Sequence, residues 1–368
     1  MNILLIGLGA AGGKAVQTSI EEDIIKVEDT ILVNSTSKDF PPEYDGMKIV
    51  LSDKDTGCGK ERPIAKEYVK QAISQGKFNL ENIGKYTTVI LATSIEGGTG
   101  SGSTPLLAQY FAKVCNKNVH IIAFAGFEED VRGLANTVDF FKEVDSSLII
   151  QAISNKAFLR EAMQNKFKAE ELADREMVQR IRVLTGQDFI SSKQNIDDTD
   201  ILKVSNTSGY MTVEKKFLDK PLVDQDDFNA VVKKMIYNSK SVKSENPGAV
   251  RLGVILNIDP ASEDAIDYTF DKIKDAYGNP YECFLQEQWD GKREYIAFIA
   301  SGMQMPLDEL KAVYDRYQEA TNKVNKNADA FYKALNDMSM LEEDSKFDMI
   351  KPVEKDKGMN VSDFLDSI

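Results

Sequence analysis

Two glycine-rich loops are the parts of this sequence best suited to chemistry. The first is Gly7-Leu8-Gly9-Ala10-Ala11-Gly12-Gly13, and the second is Glu96-Gly97-Gly98-Thr99-Gly100-Ser101-Gly102. Glycine lets backbone N–H groups approach a phosphate closely, and a helix that begins at such a loop adds positive potential. The two hydroxyl groups of the second loop are expected to bond a phosphate or a water on magnesium. We therefore predict two phosphate-binding loops.

The first loop alone is also typical of another enzyme class. Its G-x-G-x-x-G pattern occurs in oxidoreductases that bind NAD(P). Those enzymes place an acidic residue against the ribose at the end of the second strand, about 20 residues further on. This chain has Asn34 at the end of its second predicted strand. An NAD(P) oxidoreductase thus stays as an alternative, with Asn34 and the second glycine loop counting against it.

The histidine and cysteine content argues against several other kinds of site. The single histidine, His120, lies in an apolar run over 119–124, which predicts a packing role rather than a metal site or a Ser-His-Asp triad. Cys58, Cys115 and Cys283 are odd in number and far apart. That arrangement fits a reducing compartment and argues against a disulfide framework.

An acidic segment, Asn195-Ile196-Asp197-Asp198-Thr199-Asp200, is the third candidate for chemistry. Carboxylates can hold a water in line with a phosphoryl group, since phosphoryl transfer depends mainly on positioning. Asp is also a favoured N-cap, so an acidic turn that caps a helix beginning near Asp200 is the alternative. Beside two phosphate-binding loops, we take Asn195, Asp197 and Asp200 as catalytic candidates.

The elements that would position these loops alternate between short apolar runs and amphipathic segments, which predicts an α/β fold with a mostly parallel sheet. Both glycine loops follow strand candidates, and ligands bind at the carboxyl ends of such strands. The strand candidates of this half are 3–6, 31–33, 89–92, 119–124 and 148–150. Further on, strand candidates at 250–258, 282–288 and 294–301, with a helix near 263–277, predict a smaller mixed sheet.

The predicted organisation has five parts. These are a Rossmann-like parallel-sheet domain over 1–170, a central helix over 168–190, a loop and smaller α/β domain over 191–305, a long helix over 306–341 and a flexible acidic tail over 342–368. Apolar residues three or four apart predict the long helix. In the tail, Val361, Phe364, Leu365 and Ile368 would share one face of a short helix. Such a segment is typical of one that folds into the groove of a partner.

Composition places limits on partners and location. The 368 residues include 45 basic and 59 acidic residues, a net charge of −14. Direct DNA binding needs clustered Lys and Arg, so we expect none, and any DNA role would run through an adaptor protein. No apolar run approaches the roughly 18–20 residues that span a bilayer, and the N-terminus lacks the basic region of a signal peptide. We expect a soluble protein in the cytoplasm of a bacterial host.

The second glycine loop resembles the G-G-T-G-[ST]-G signature of the tubulin/FtsZ superfamily, and the resemblance covers about residues 1–340. It implies that GTP or GDP binds, with Mg²⁺. Thr56-Gly57-Cys58-Gly59-Lys60 resembles the loop that senses the γ-phosphate, Glu128 and Arg132 keep the spacing of the ribose loop, and Asn155 and Asp174 stand where the guanine base is bound. The implied nucleotide contacts are Gly9, Ala10, Ala11, Lys14, Asn34, Gly57, Cys58, Gly59, Gly97, Gly98, Thr99, Gly100, Ser101, Gly102, Glu128, Arg132, Asn155 and Asp174. The chain departs from the family pattern at Ala10, Ala11, Lys14 and Gly126.

The acidic segment is similar to the N-x-D-x-x-D synergy loop of this superfamily. The resemblance implies that one subunit presents Asn195, Asp197 and Asp200 to the GTP of the next, so that hydrolysis occurs only within a head-to-tail filament. Contacts of that kind do not close on themselves and give filaments.

The long C-terminal helix, and a sequence that starts at the first strand, look most like the plasmid- and phage-borne TubZ proteins. That resemblance implies DNA segregation through a DNA-bound adaptor and the C-terminal tail. An FtsZ-type division protein is the first alternative. A filament that binds nucleotide without hydrolysing it is a further one, which the set Asn195, Asp197 and Asp200 argues against.

Overall fold

The computed structural model describes residues 2–78, 83–187, 198–244, 247–266 and 269–337. Met1–Tyr317 form one compact unit, and a second unit begins at Gln318. Within the described ranges, no helix is both long and apolar enough to cross a membrane.

The first half of the chain forms six parallel strands, as predicted. Their order in the sheet is β3-β2-β1-β4-β5-β6, so the chain winds one way from β1 and the other way from β4. The strands are β1 Ile3–Leu8, β2 Thr30–Asn34, β3 Met47–Val50, β4 Thr88–Ser94, β5 Asn118–Ala125 and β6 Ile149–Ser154. The helices that connect or follow them are α1 Gly9–Glu21, α2 Arg62–Ser74, α3 Thr99–Gln109, α4 Val131–Glu143 and α5 Lys166–Thr185. α5 ends at Thr185, three positions after its last basic residue, Arg182, and Gly186 adopts a φ of 67° as left-handed C-cap.

The second half extends the same sheet to ten strands in the order β6-β7-β10-β8-β9. Its elements are α6 Asp198–Ser205, β7 Gly209–Phe217, α7 Gln225–Tyr237, β8 Arg251–Asn257, α8 Asp271–Ala276, β9 Glu282–Gln288 and β10 Tyr295–Met303. β7 and β8 both pair antiparallel with β10, and β8 pairs parallel with β9, so the pairing in this half is mixed as predicted, but these strands continue the first sheet rather than form a separate smaller one. β6 and β7 pair at only two positions, which leaves the two halves of the sheet narrowly joined.

Apolar side chains on the two faces of the sheet explain why these strands are buried. Leu4, Ile6 and Leu8 of β1 pack into the cluster on one face, whereas Leu5 packs on the other. A strand that is covered on both faces gives a continuous apolar run in the sequence. This is why all the strand candidates of the first half are found as strands.

Three elements were not among the predicted ones, and one helix is shorter than expected. β3, β7 and α7 were missed. The helix expected near 263–277 is a 3-10 turn, Pro260–Ala265, followed by the short α8. The long C-terminal helix is present as α9, Leu307–Asp337, as far as the chain is described. The predicted tail over 342–368 lies outside the described residues.

Candidate functional site

The candidate site lies at the carboxyl ends of β1 and β4, which are neighbours in the sheet. Chain connections leave these two strands in opposite directions, so a crevice opens between the loops that follow them. α1 begins at Gly9, directly after β1, and α3 begins at Thr99, a few residues after β4. The sheet order therefore brings the two predicted phosphate loops to one place.

Two helix N-termini at this crevice have no capping side chain. Neither α1 nor α3 has a side chain that caps its N-terminus, and neither has an acid in its first turn. The first N–H groups of a helix have no partner within the helix, and the helix dipole is positive at that end. The crevice is therefore suited to bind an anion such as a phosphate.

Close packing explains why the first loop is rich in glycine. Gly9 adopts a φ of 73°, a left-handed conformation that glycine adopts without strain. A Cβ on Gly12 would overlap the carbonyl oxygen of Ala92 in β4, so α1 can lie this close to the sheet only with glycine at that position.

The hydroxyl groups of the second loop have partners within the protein. Ser101 donates to the carbonyl oxygen of Gly97, and the Thr99 hydroxyl lies 2.9 Å from that of Ser35. Each of these hydroxyl groups therefore already has one partner within the protein, and their predicted contact with a phosphate stays a prediction. The backbone N–H groups at the start of α3 are further candidate donors to a phosphate.

A cavity of about 240 Å³ lies beside the first loop. Its wall is formed by five of the predicted nucleotide-binding residues and by others that the sequence analysis did not single out. The predicted ones are Ala10, Ala11, Lys14, Asn155 and Asp174. The additional lining residues include Glu96, Phe124 and Phe127. Helix α5 supplies Asp174, and the turn after β6 supplies Asn155.

Asn155 is a buried amide without a protein partner for its oxygen. The residue is 8% exposed, and its Oδ1 makes no hydrogen bond within the protein. A buried acceptor that lacks a partner costs free energy, on the order of 1–3 kcal/mol. Because Asn155 lines the cavity, a ligand with a hydrogen-bond donor at this point would remove that cost.

Asp174 is the acid of the cavity with the most altered ionisation. Burial raises the pKa of its carboxyl group to about 7, and Lys14 opposes that rise. A carboxyl group that titrates near neutrality can accept from or donate to a ligand, depending on pH.

Glu96 is a site residue that the sequence analysis missed. Burial raises the pKa of its carboxyl group, and its Oε1 accepts a hydrogen bond of 2.7 Å from the backbone N–H of Glu128. A Cβ on residue 126 would overlap the Glu96 carboxylate, so Gly126 makes room for it. Because the two residues are 30 positions apart, no local pattern in the sequence reveals this pairing.

The predicted phosphate-sensing loop is tied to the second glycine loop through Asn136 of α4. The Asn136 amide donates to the carbonyl oxygens of Lys60 and Glu96, at 3.0 Å each. Within the sensing loop, Gly57 and Gly59 are exposed and Cys58 is buried. Asn34, at the end of β2, is also buried, and its Nδ2 has no hydrogen-bond partner.

The two predicted ribose contacts make ion pairs within the protein. Arg132 lies 2.8 Å from Glu61. The carboxylate of Glu128 pairs with Lys156 and with Arg316, which belongs to α9. Neither residue lines the cavity described above.

The catalytic candidate Asp200 lies at the opposite edge of the sheet. It belongs to α6, where it pairs with Lys203 at 2.9 Å. Residues 206–208 alone separate α6 from the first residue of β7, and β7 runs parallel to β6, so α6 lies at the amino ends of these strands. Asp200 is therefore separated from the cavity of its own chain by the length of the strands. Asn195 and Asp197 lie outside the described residues.

No group of three or more His, Cys, Asp and Glu side chains in the described ranges is arranged to hold a metal ion. The predicted Mg²⁺ is therefore not assigned to a cluster of protein ligands.

Comparison with known proteins identifies the first half of the chain. Residues 2–162 match the GTPase domain of the Tubulin/FtsZ family. The cell division protein FtsZ 1 of Pyrococcus furiosus is 24% identical over 283 residues, which cover 71% of this chain and 74% of that protein.

Solved structures share the fold at low sequence identity. TubZ of Clostridium botulinum phage c-st, truncated at its C-terminal tail, has a TM-score of 0.70 at 19% identity, covering 88% of this chain and 98% of that one. A GTPγS-bound protofilament of CetZ2 from Haloferax volcanii has a TM-score of 0.71 at 16% identity, covering 88% and 100%. The predicted resemblance to the tubulin/FtsZ superfamily is confirmed over residues 2–162, and a GTPase is favoured over an NAD(P) oxidoreductase.

Proposed function

We propose that this chain, a GTPase of the tubulin/FtsZ family, binds GTP in the cavity beside Asn155 and hydrolyses it within a filament of its own subunits. The observation that carries the proposal is the buried Oδ1 of Asn155, which has no partner and lines a cavity next to two glycine loops. The guanine edge carries N–H groups, and an amide oxygen can accept a hydrogen bond from one of them. Asp174 is placed in the same cavity to accept a second one.

The phosphates are assigned to the glycine loops. Backbone N–H groups at the starts of α1 and α3 bind them, with Lys14 at the cavity wall and Gly57–Gly59 closing over the γ-phosphate. Mg²⁺ enters with the phosphates, which supply most of its oxygen ligands. Glu128 and Arg132 are assigned to the ribose.

The catalytic acids are supplied by the next subunit. Asp200 lies at the amino edge of the parallel strands, whereas the cavity lies at the carboxyl edge. When subunits stack head to tail, the amino edge of one meets the carboxyl edge of the other, so that Asn195, Asp197 and Asp200 reach the neighbour's GTP. There the carboxylates orient the attacking water. The CetZ2 protofilament supports stacking of this kind.

Phosphate release measured across protein concentrations tests this composite site. We expect the rate per subunit to rise steeply at the concentration where GTP-dependent light scattering begins. A rate per subunit that is the same in dilute and concentrated protein would show that each chain carries a complete site.

We further propose that the filament segregates plasmid or phage DNA through an adaptor. The fold similarity to a phage TubZ and the long helix α9 support this role. The net charge of −14 favours contact with a basic adaptor rather than with DNA. Division is the second candidate, because a division protein matches 71% of this chain.

Deletion of residues 342–368 separates tail function from assembly. The shortened protein is expected to form GTP-dependent filaments by electron microscopy and to lose co-pelleting with the adaptor. Loss of filaments would place the tail in the assembly contact instead. A gene for a small DNA-binding protein next to this one would favour segregation, whereas a cell-wall gene cluster would favour division.

A further inference from the structure

The segment that runs from the end of β5 into the first turn of α4, residues 126–132, contacts the second glycine loop and the sensing loop beside the candidate site. Glu96 of the second glycine loop accepts from the backbone N–H of Glu128 at 2.7 Å. From the sensing loop, Lys60 pairs with Asp130 at 2.7 Å and Glu61 pairs with Arg132 at 2.8 Å. We call residues 126–132 the junction segment. Its position makes it sensitive to what occupies the cavity.

Glu128 is the most constrained residue of the junction segment. Its side chain is 9% exposed and its backbone φ is 57°, a left-handed value that residues with a side chain seldom adopt. Its Oε2 lies 2.5 Å from the Nζ of Lys156, the residue that follows Asn155. The same oxygen pairs with the guanidinium group of Arg316. Two cations therefore hold one carboxylate oxygen.

Arg316 reaches Glu128 because the first turns of α9 are packed on α4. Val313 is buried against Leu134 and Val138 of α4. Lys142 of α4 lies 5.5 Å from the ring centre of Tyr314. Asp130 of the junction segment is the N-cap of α4, and its carboxylate accepts from the N–H of Gly133. The helix that carries Arg316 is thus fixed to the segment that carries Glu128.

We propose that Arg316 is a positioning residue for the nucleotide, which holds the Glu128 carboxylate so that it can accept a hydrogen bond from the ribose of bound GTP. A carboxylate has two oxygens and about four acceptor positions. With both cations on Oε2, Oε1 is left to face a ribose hydroxyl, and the ion pairs restrict the rotation that would turn it away. The inference rests on the proposed function, since it assumes that GTP binds in the cavity.

A consequence follows for α9. If the ion pair from Arg316 strengthens GTP binding by some factor, GTP strengthens the attachment of Arg316 by the same factor. The first turns of α9, residues 307–317, are then held more firmly in the nucleotide-bound protein than in the free protein. The nucleotide state therefore affects how firmly the beginning of the C-terminal helix is held.

Binding of GTP and of 2′,3′-dideoxy-GTP to the full-length protein tests the positioning role. The dideoxy compound keeps the base and the phosphates but lacks both ribose hydroxyls. We expect the wild type to bind GTP on the order of tenfold more tightly, as for one hydrogen bond to a charged group. Arg316→Ala is expected to lose most of this preference and Arg316→Lys to keep part of it. Lys311→Ala removes a charge from the same helix and is expected to bind both nucleotides as the wild type does.

The outcomes separate this inference from the proposed function. If Arg316→Ala keeps the full preference for GTP, or if the wild type has none, the positioning role is wrong, while tighter binding of GTP than of ATP leaves the proposed function standing. If the wild type binds no GTP at all, the proposed function itself is overturned and the inference falls with it.

Hydrogen exchange of residues 307–317 tests the link to α9. We expect GTP to slow exchange there in the wild type, dideoxy-GTP to slow it less, and neither to slow it in Arg316→Ala. Exchange that GTP leaves unchanged in the wild type would contradict the link.

Discussion

Two buried asparagines at strand ends show how the two halves of the sheet differ. Asn155 follows β6, and Asn257 is the last residue of β8. The Asn257 amide donates to Asp290 and to the carbonyl oxygen of Arg293, and its oxygen accepts from the N–H of Asp290. The oxygen of Asn155 has no such partner. The Asn257 amide is therefore satisfied within the protein, whereas the Asn155 oxygen is unsatisfied and lines the cavity.

For this pair of residues, the difference indicates that the Asn257 amide serves the fold and that the Asn155 oxygen is available to a ligand in the cavity. A buried group that is satisfied internally stabilises the folded state, whereas an unsatisfied one is a cost that a ligand can remove. A second contrast concerns the two ends of the parallel strands. The cavity lies at their carboxyl ends, whereas Asp200 lies towards their amino ends. The predictions below begin with the largest expected effect.

The largest effect is expected for Asp200→Ala, which removes a carboxylate from the amino edge. GTP affinity is expected to stay unchanged while hydrolysis in filaments slows by about 10²–10⁴-fold, because the attacking water is no longer positioned. Asp226→Ala, an acid in the first turn of α7, is the matched control. Slowed hydrolysis together with unchanged GTP binding, measured by calorimetry, would support a catalytic role for Asp200. An unchanged rate of hydrolysis would contradict that role.

Gly12→Ala compares a packed glycine with an open one. The new methyl group would overlap the Ala92 carbonyl, so we expect a loss of stability of about 1–3 kcal/mol or more in urea unfolding. Gly57→Ala adds the same methyl group where nothing lies within 4 Å, and we expect no loss there. Equal stability of the two variants would mean that α1 does not approach β4 as closely as described.

The asparagine pair itself is tested by two alanine variants. We expect Asn155→Ala to weaken GTP binding by about 1–3 kcal/mol with little change in Tm, because its oxygen has no protein partner to lose. Asn257→Ala is expected to lower Tm and to leave GTP affinity unchanged. A large drop in Tm for Asn155→Ala would show that the amide serves the fold after all.

A further prediction concerns pH and Asp174. Its pKa is about 7 in the folded protein against 3.8 for the ordinary group, so stability in the absence of nucleotide is lost as pH rises from about 4 to 7. Asp174→Asn cannot ionise, and we expect it to be more stable than the wild type at pH 8 and equally stable at pH 4. The same variant is expected to bind GTP more weakly. Parallel stability curves for the two proteins between pH 4 and pH 8 would contradict the raised pKa.

The first half of the sheet could be predicted from the sequence because its strands are buried on both faces. β3 was missed because Met47 and Lys48 are exposed at the sheet edge and leave no apolar run. β7 was missed because it buries Thr212 and Glu214, which are satisfied by hydroxyl groups of the segment after α7. That compensation depends on tertiary contacts and gives no local pattern.

The candidate site shows the same limit. The glycine loops could be placed from the sequence because they directly follow strand candidates, and Asn155 was placed by the resemblance to the tubulin/FtsZ superfamily. Glu96 could not, because its burial depends on the missing side chain of Gly126. The ion pair from Arg316 to Glu128 could not either, because it joins residues 188 positions apart through the packing of α9 on α4. α7, in contrast, could have been predicted from the sequence. Asp224 is an N-cap residue, and Phe228, Val232 and Met235 have the spacing of one buried helix face.

The central claim is that the cavity beside Asn155 recognises guanine. Calorimetric titration of the wild-type protein with GTP and with ATP tests it most directly. The account predicts that GTP binds at least about tenfold more tightly, the equivalent of roughly one hydrogen bond to the base. Equal affinity for GTP and ATP would contradict it.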